Sequence, residues 1–345
     1  MSVTDMTEES ARAAGASDGA TDRAGAAMAA RAISLAMRRG DAIPGLAVEI
    51  AGVTLQAPVM TASGTFGSGM EYEGLVDISR LGAVVTKGVA DRPWAGNPTP
   101  RIAETTSGML NAIGLQNPGV DVFLERDLPF LRRYADTTRI IVNVCGHSIE
   151  EYVAVVERLS DAPVDMLEIN VSCPNVREGG IAFGTDPKAL SGITREIRRH
   201  TRKPIIIKLS PNVTDIAQMA RAAEAEGADA LSLINTITGM QIDIYKRSFT
   251  LANRTGGLSG PAIKPIAVRM VYEVSHAVSI PVIGMGGICS GEDAVEFLLA
   301  GATAVAVGAA TFHDPAAATR VLDGIVRFMI DQGVDDVNTL RGAVR

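Results

Sequence analysis

From residue 58 onward the chain alternates between short apolar, β-branched runs and longer segments that carry charge. The runs are PVMTAS (58–63), AVVTKG (83–88), RIIVNVCG (139–146), MLEINVSC (166–173), PIIIKLS (204–210), ALSLINT (230–236), PVIGMGG (281–287) and AVAVGAA (304–310). Each is near-continuously hydrophobic rather than alternating, the mark of strands covered on both faces in a parallel sheet. Most follow a helix-like segment, among them SIEEYVAVVERLSD (148–161), LSGITREIRRH (190–200), DIAQMARAAEAEG (215–227) and GEDAVEFLLAG (291–301). Gly-Ala stands just before the strands at LGAVVTKG, EGADALSLINT and AGATAVAVGAA, where glycine suits the left-handed residue that ends a helix. Eight β/α units predict a TIM (β/α)8 barrel with its ligand site at the carboxyl ends of the strands; a doubly wound open sheet is the competing arrangement. The long intervals 89–138 and 237–280 read as inserted loops over that carboxyl-end face. LAVEIAGVTLQ (46–56) reads as a small N-terminal hairpin capping the opposite end.

Composition narrows the class. The 345 residues could make two domains or one barrel, and no apolar stretch approaches the roughly 20 residues of a membrane span. A net charge of −7 argues against a nucleic-acid surface, which needs clustered Lys and Arg. Three scattered cysteines (Cys145, Cys173, Cys289) and four histidines without ligand spacing (His147, His200, His276, His313) indicate neither disulfides nor a metal site, and fit a reducing cytoplasm. Residues 1–43, rich in Ala, Gly, Ser and Asp, read as a flexible extension before a barrel at 44–345. Their acidic start is unlike a signal or transit peptide, and AMAARAISLAMRR (27–39) could form one amphipathic helix.

In a barrel, polar residues at strand ends converge. Ser63, Lys87, Asn143, Asn170, Cys173, Lys208, Asn235 and Thr236 follow six of the eight runs. Asn and Lys there are costly to bury without partners, so they satisfy one another or bind something polar and flat. The last two runs end instead in Gly286-Gly287 and Gly308-Ala309, where this fold commonly cradles a phosphate on backbone N–H groups. SGED (290–293) looks like a helix start capped by Ser290. A cradle, lysines and amides together point to a phosphorylated cofactor or substrate. Flavin mononucleotide (FMN) would use the cradle for its phosphate, a lysine such as Lys208 for its electron-rich edge and amides for its pyrimidine ring.

The motifs ASGTFGSG (62–69), TKG (86–88), NAIGLQNPG (111–119), EINVSCPN (168–175), GGIAFGTDP (179–187), IIKLSPN (206–212), NTITGMQID (235–243), TGGLSGPAIKP (255–265) and GMGGI (284–288) run in family order over about residues 46–335. Together they resemble the dihydroorotate dehydrogenases, flavin enzymes of pyrimidine synthesis. The resemblance implies an FMN-bound TIM barrel that oxidises dihydroorotate to orotate. Cys173 would be the base at C5, as in class 1 of the family, while C6 gives its hydride to FMN. It assigns Ser63, Lys87, Gly88, Asn143, Asn170, Lys208, Ile234, Gly260, Gly286, Gly287, Gly308 and Ala309 to FMN. Substrate falls to Lys87, Asn111, Ala112, Ile113, Gly114, Leu115, Asn170, Asn235 and Thr236, with Asn175 helping from the loop of Cys173. Ala309 stands where the family often has threonine, which removes a hydroxyl from the phosphate site.

NAIGLQNPG, ASGTFG and TGGLSGPAIKP look like class 1B, whose catalytic subunit passes electrons to NAD through a partner that carries FAD and an iron–sulfur cluster. Three scattered cysteines cannot supply a four-thiolate cluster, which places any cluster on another chain. The resemblance further implies a homodimer at the core of a heterotetramer. The nearest alternative is a class 1A homodimer that reduces fumarate; dihydropyrimidine dehydrogenase and dihydrouridine synthase perform related chemistry, and the acidic charge counts against the latter's tRNA. A non-redox barrel acting on a phosphorylated metabolite would leave Cys173 and the asparagines without a role.

Overall fold

The computed structural model describes residues 45–171 and 180–345. Eight parallel strands close into a barrel: β1 (Val59–Thr61), β2 (Ala83–Val85), β3 (Arg139–Val144), β4 (Met166–Asn170), β5 (Ile205–Lys208), β6 (Ala230–Leu233), β7 (Val282–Met285) and β8 (Ala304–Val307). Each pairs with its neighbour in sequence and β8 pairs with β1, so the open-sheet alternative is excluded. All eight predicted strands form. They stop two or three residues before the ends of most apolar runs, which leaves Lys87, Asn235 and Gly286 on the loops at the barrel's mouth. Strand residues are almost wholly buried because helices cover the outside and side chains fill the inside.

The helices begin where short polar side chains can take up free N–H groups. Ser148 accepts from Glu151 N at the start of α1 (Ile149–Ser160), and Asp186 from Ala189 N at the start of α2 (Pro187–His200). Asp215 does the same for α3 (Ile216–Ala225). Further on lie α4 (Lys264–Ser275), α5 (Gly291–Leu299) and α6 (Ala317–Gln332). At α5, Ser290 and Asp293 form a reciprocal capping box, as the SGED motif predicts. Apolar residues one helical turn apart, such as Tyr152, Val155, Val156 and Leu159 of α1, face the barrel.

Two expectations are corrected. The β1–β2 crossover carries only two single-turn 3-10 helices, Met70–Tyr72 and Ile78–Arg80, in place of an α-helix. Gly82 is not a left-handed helix end, unlike Gly227 (φ +93°) and Gly301 (φ +112°). It is glycine because a Cβ there would lie 2.0 Å from the carbonyl oxygen of Ala57.

Both long intervals do form inserted structure, and they form it together. Ile102–Thr105 and Gly108–Asn111 come from the first, Ile237–Met240 and Thr255–Ser259 from the second, and they make one four-stranded antiparallel sheet. At the other end the predicted hairpin forms from Val48–Ile50 and Val53–Leu55. Arg139, the first residue of β3, donates from Nε to the carbonyl of Thr54 at 2.9 Å, which fixes the hairpin at the amino end of the barrel. Leu46, Val48, Ile50 and Leu55 are buried against the core, each worth about 1.5–3 kcal/mol. Gly45 O accepts from Val337 N, tying the hairpin to the last turn of the chain. No helix among the described residues is long and apolar enough to cross a membrane.

Candidate active site

A cavity of about 380 Å³ opens at the carboxyl ends of the strands, beneath the inserted sheet. The loops after β1 and β2 bring Ser63, Lys87 and Gly88 to it. Strands β4 and β5 contribute their last residues, Asn170 and Lys208, which are cross-strand neighbours. Ile234, Asn235 and Thr236 follow β6, while Gly286-Gly287 and Gly308-Ala309 line the side formed by β7 and β8. The inserted sheet and its edges close the top with Asn111, Ile113, Gly114, Leu115 and Gly260. Residues spread over some 250 positions of sequence therefore meet in one volume, as the barrel reading requires.

Two predicted residues sit elsewhere. Asn143 is fully buried below the cavity, and Ala112 is buried within the insertion, its N–H bonded to the carbonyl of Arg101. Neither lines the cavity wall. Cys173 and Asn175 lie outside the described residues.

The polar side chains form a connected row. Asn170 Nδ2 donates to Asn143 Oδ1 at 3.4 Å, and Asn235 Nδ2 donates to Asn170 Oδ1 at 3.4 Å. Asn235 Oδ1 accepts from Thr236 N at 2.8 Å, and Thr236 O in turn accepts from Asn212 Nδ2 at 3.1 Å. From behind, the hydroxyl of buried Tyr152 on α1 donates to the Asn170 carbonyl at 2.6 Å. Thus each amide is turned by its neighbour, which fixes where donors and acceptors face the cavity.

Sequence reasoning missed several lining residues, including Thr65, Met109, Ile263, Met285, Cys289 and Phe312. Most are apolar and carry no chemical signal in a sequence. Cys289 is exposed as a residue, yet partial desolvation of its thiol is the main influence that pushes it up, with Asp293 adding to it and Lys264 opposing, so at neutral pH it stays protonated. Glu168 was also missed: it is 1% exposed, is the cross-strand partner of Asn143, and stands as the single charge inside the apolar run MLEINV.

The donor set fits a flat, polar heterocycle with an anionic tail. Amides and two lysines occupy one side, and a glycine-rich backbone occupies the other. Gly286 (φ +128°) and Gly287 (φ +79°) adopt conformations that L side chains rarely take, and a Cβ on either would meet a neighbour at 2.8 Å. These glycines bring bare backbone to the cavity, as an anion cradle demands. Among the described residues no group of His, Cys, Asp and Glu could hold a metal ion.

Comparisons with known proteins agree with this chemistry. The family model described as dihydroorotate dehydrogenase matches residues 45–329. A protein of Lachnoclostridium phytofermentans named dihydroorotate dehydrogenase B (NAD(+)), catalytic subunit, is 65% identical over 298 residues, 86% of this chain and 99% of that protein. Its namesake in Alkaliphilus metalliredigens is 59% identical over 297 residues, 86% of this chain and 98% of that one. The Geobacter sulfurreducens namesake is 59% identical over 302 residues, 87% and 98% of the two chains. Among solved structures, DHODH of Eimeria tenella in complex with ferulenol superposes with a TM-score of 0.73 at 24% identity, covering 92% of this chain and 94% of that one; it supports the fold alone.

Proposed function

Because the chain belongs to the dihydroorotate dehydrogenase family, we propose that it is the catalytic subunit of an NAD-linked dihydroorotate dehydrogenase, oxidising dihydroorotate to orotate in pyrimidine synthesis. The observation that carries this reading is the ring of Lys87, Asn111, Asn170, Lys208, Asn235 and Thr236 around one cavity that faces a glycine cradle. The amides match the ring amides and planar carboxylate of orotate in both donors and acceptors. Lys87 supplies charge to the carboxylate.

The cofactor is FMN, which when bound takes up the hydride that leaves C6 of the substrate. The backbone of Gly286, Gly287, Gly308 and Ala309 would hold its phosphate, with backbone donors serving there without the hydroxyl that Ala309 lacks. Ser63, Gly88, Asn170, Lys208, Ile234 and Gly260 line the rest of its site, and Asn143 acts from behind by orienting Asn170. Cys173, from its place in EINVSCPN, is the base: its thiolate takes the C5 proton, the C5–C6 double bond forms, and the thiol returns that proton to solvent. Asn175 binds substrate from the same motif.

A partner subunit carries electrons onward. Three scattered cysteines cannot supply a four-thiolate iron–sulfur cluster, so the cluster belongs to that partner, which by the class 1B resemblance also carries the FAD that serves NAD. We place the assembly in the cytoplasm as a homodimer of this chain flanked by two partners. Anaerobic mixing of the purified chain with dihydroorotate tests the reading. Bleaching of the flavin absorbance is expected, whereas a colourless chain, or one whose flavin ignores dihydroorotate, would refute it.

A further inference from the structure

Glu168 has no part in that chemistry, yet its carboxylate touches side chains of three other barrel strands that frame the site. It stands in the middle of β4, 1% exposed, and does not reach the cavity. Its Oε1 accepts from Asn143 Nδ2 at 2.6 Å and lies 3.8 Å from Lys208 Nζ. Its Oε2 accepts from Ser232 Oγ at 2.8 Å. One carboxylate therefore joins side chains of β3, β5 and β6 to its own strand. Asn143 passes the constraint on to Asn170, and Asn170 to Asn235.

A carboxylate in this place is costly. Desolvation of a buried ion exceeds what a pair returns unless hydrogen bonds complete it, and a well-packed apolar side chain would commonly be at least as stable. Stability alone does not account for it. Lys208 is different, because its ammonium lines the cavity and acts on whatever is bound there. With Glu168 beneath it, the ligand faces one end of an ion pair instead of an unbalanced cation.

We propose that Glu168 is a positioning residue: its carboxylate fixes Lys208 and the Asn143–Asn170–Asn235 row, and offsets the Lys208 charge felt by the flavin. The inference rests on the FMN reading. It follows that Glu168 restrains the flavin's reduction potential, since an uncompensated cation favours the electron-rich reduced form.

Glu168→Gln tests this, because the amide oxygen can still accept from Asn143 and the Ser232 hydroxyl can turn to accept from the new amide. The variant is expected to keep its flavin and to favour reduced over oxidised FMN at least tenfold more than the parent, a rise of about 30 mV for a two-electron couple. An unmoved potential in the flavin-loaded variant overturns the proposal. A second readout needs no flavin: apoprotein melting temperatures of Glu168→Gln, Lys208→Met and the double variant. The two losses should be strongly non-additive, with the double variant recovering much of what either single change costs; this includes the case where Glu168→Gln alone does not fold. Simple additivity, or a double variant that also fails to fold, overturns the proposal. A parent chain that takes up no FMN would sink the functional reading instead, and the melting cycle would still decide whether Glu168 holds Lys208.

Discussion

Gly286 and Gly308 follow neighbouring strands and read alike in the sequence, yet the structure separates them. At Gly286 the φ of +128° and a Cβ position 2.8 Å from Ala267 Cβ forbid even alanine without a shift of the cradle. At Gly308 an added Cβ would make an ordinary 3.4 Å contact with Ala62. Gly286→Ala should therefore purify with little flavin and Gly308→Ala with nearly a full load, judged by the ratio of flavin to protein absorbance; bulky replacements should empty both. Equal loads in the two alanine variants would contradict the cradle. For Cys173, a thiol of ordinary pKa, about 8.5, is mostly protonated at neutral pH, so flavin reduction by dihydroorotate should accelerate as pH rises toward that value. Cys173→Ser should retain FMN and react orders of magnitude more slowly near neutrality, and stopped-flow traces that match the parent would remove Cys173 from the role of base. Cys173 lies outside the described residues, and its role is read from a motif that is long and specific. Glu168 was not legible, since one acidic residue inside an apolar run gains meaning only when register sets it beside Asn143 and near Lys208. Asn143 and Asn170 look equivalent for the same reason, although one is buried beneath the cavity and the other lines it.

Elements were legible wherever a local rule decides them. The capping residues Ser148 and Ser290 and the continuous apolar runs name their helices and strands from within a few positions. The inserted sheet is different: its strands pair across more than a hundred residues, as Gly108–Asn111 does with Thr255–Ser259, and no local signal announces such a partner. The missing helix between β1 and β2 was equally hidden. One element carries a pH signature. Burial pushes the Asp293 carboxyl up, but hydrogen bonds from Lys264, Cys289 N and Ser290 N and the Lys264 charge outweigh it, holding the group below its ordinary value of 3.8. Since the folded value is the lower one, this contribution to stability is present above 3.8 and disappears as pH falls through the folded value. The melting temperature of Asp293→Asn should thus trail the parent's at neutral pH, with the gap closing in acid below 3.8. A gap that persists unchanged into strong acid would show that the carboxylate's charge is not what stabilises the start of α5.

At the scale of the molecule, the barrel was legible because eight covered strands leave few arrangements open, and closure of β8 onto β1 settles which one. Its electron acceptor is a question of subunits. If the chain needs a partner to reach NAD, flavin bleached by dihydroorotate should stay bleached when either NAD or fumarate is added, and recover with NAD once the electron-transfer subunit is present. Prompt recovery with fumarate alone would instead mark a self-sufficient class 1A enzyme. The bond from Val337 N to Gly45 O holds the hairpin and the final turn together at the amino end, across the whole barrel from the cavity. A bead, electrode or fluorescent label attached on the turn Val337–Leu340 would consequently grip the protein by its closed base, leaving the mouth turned toward solution for substrate and partner alike.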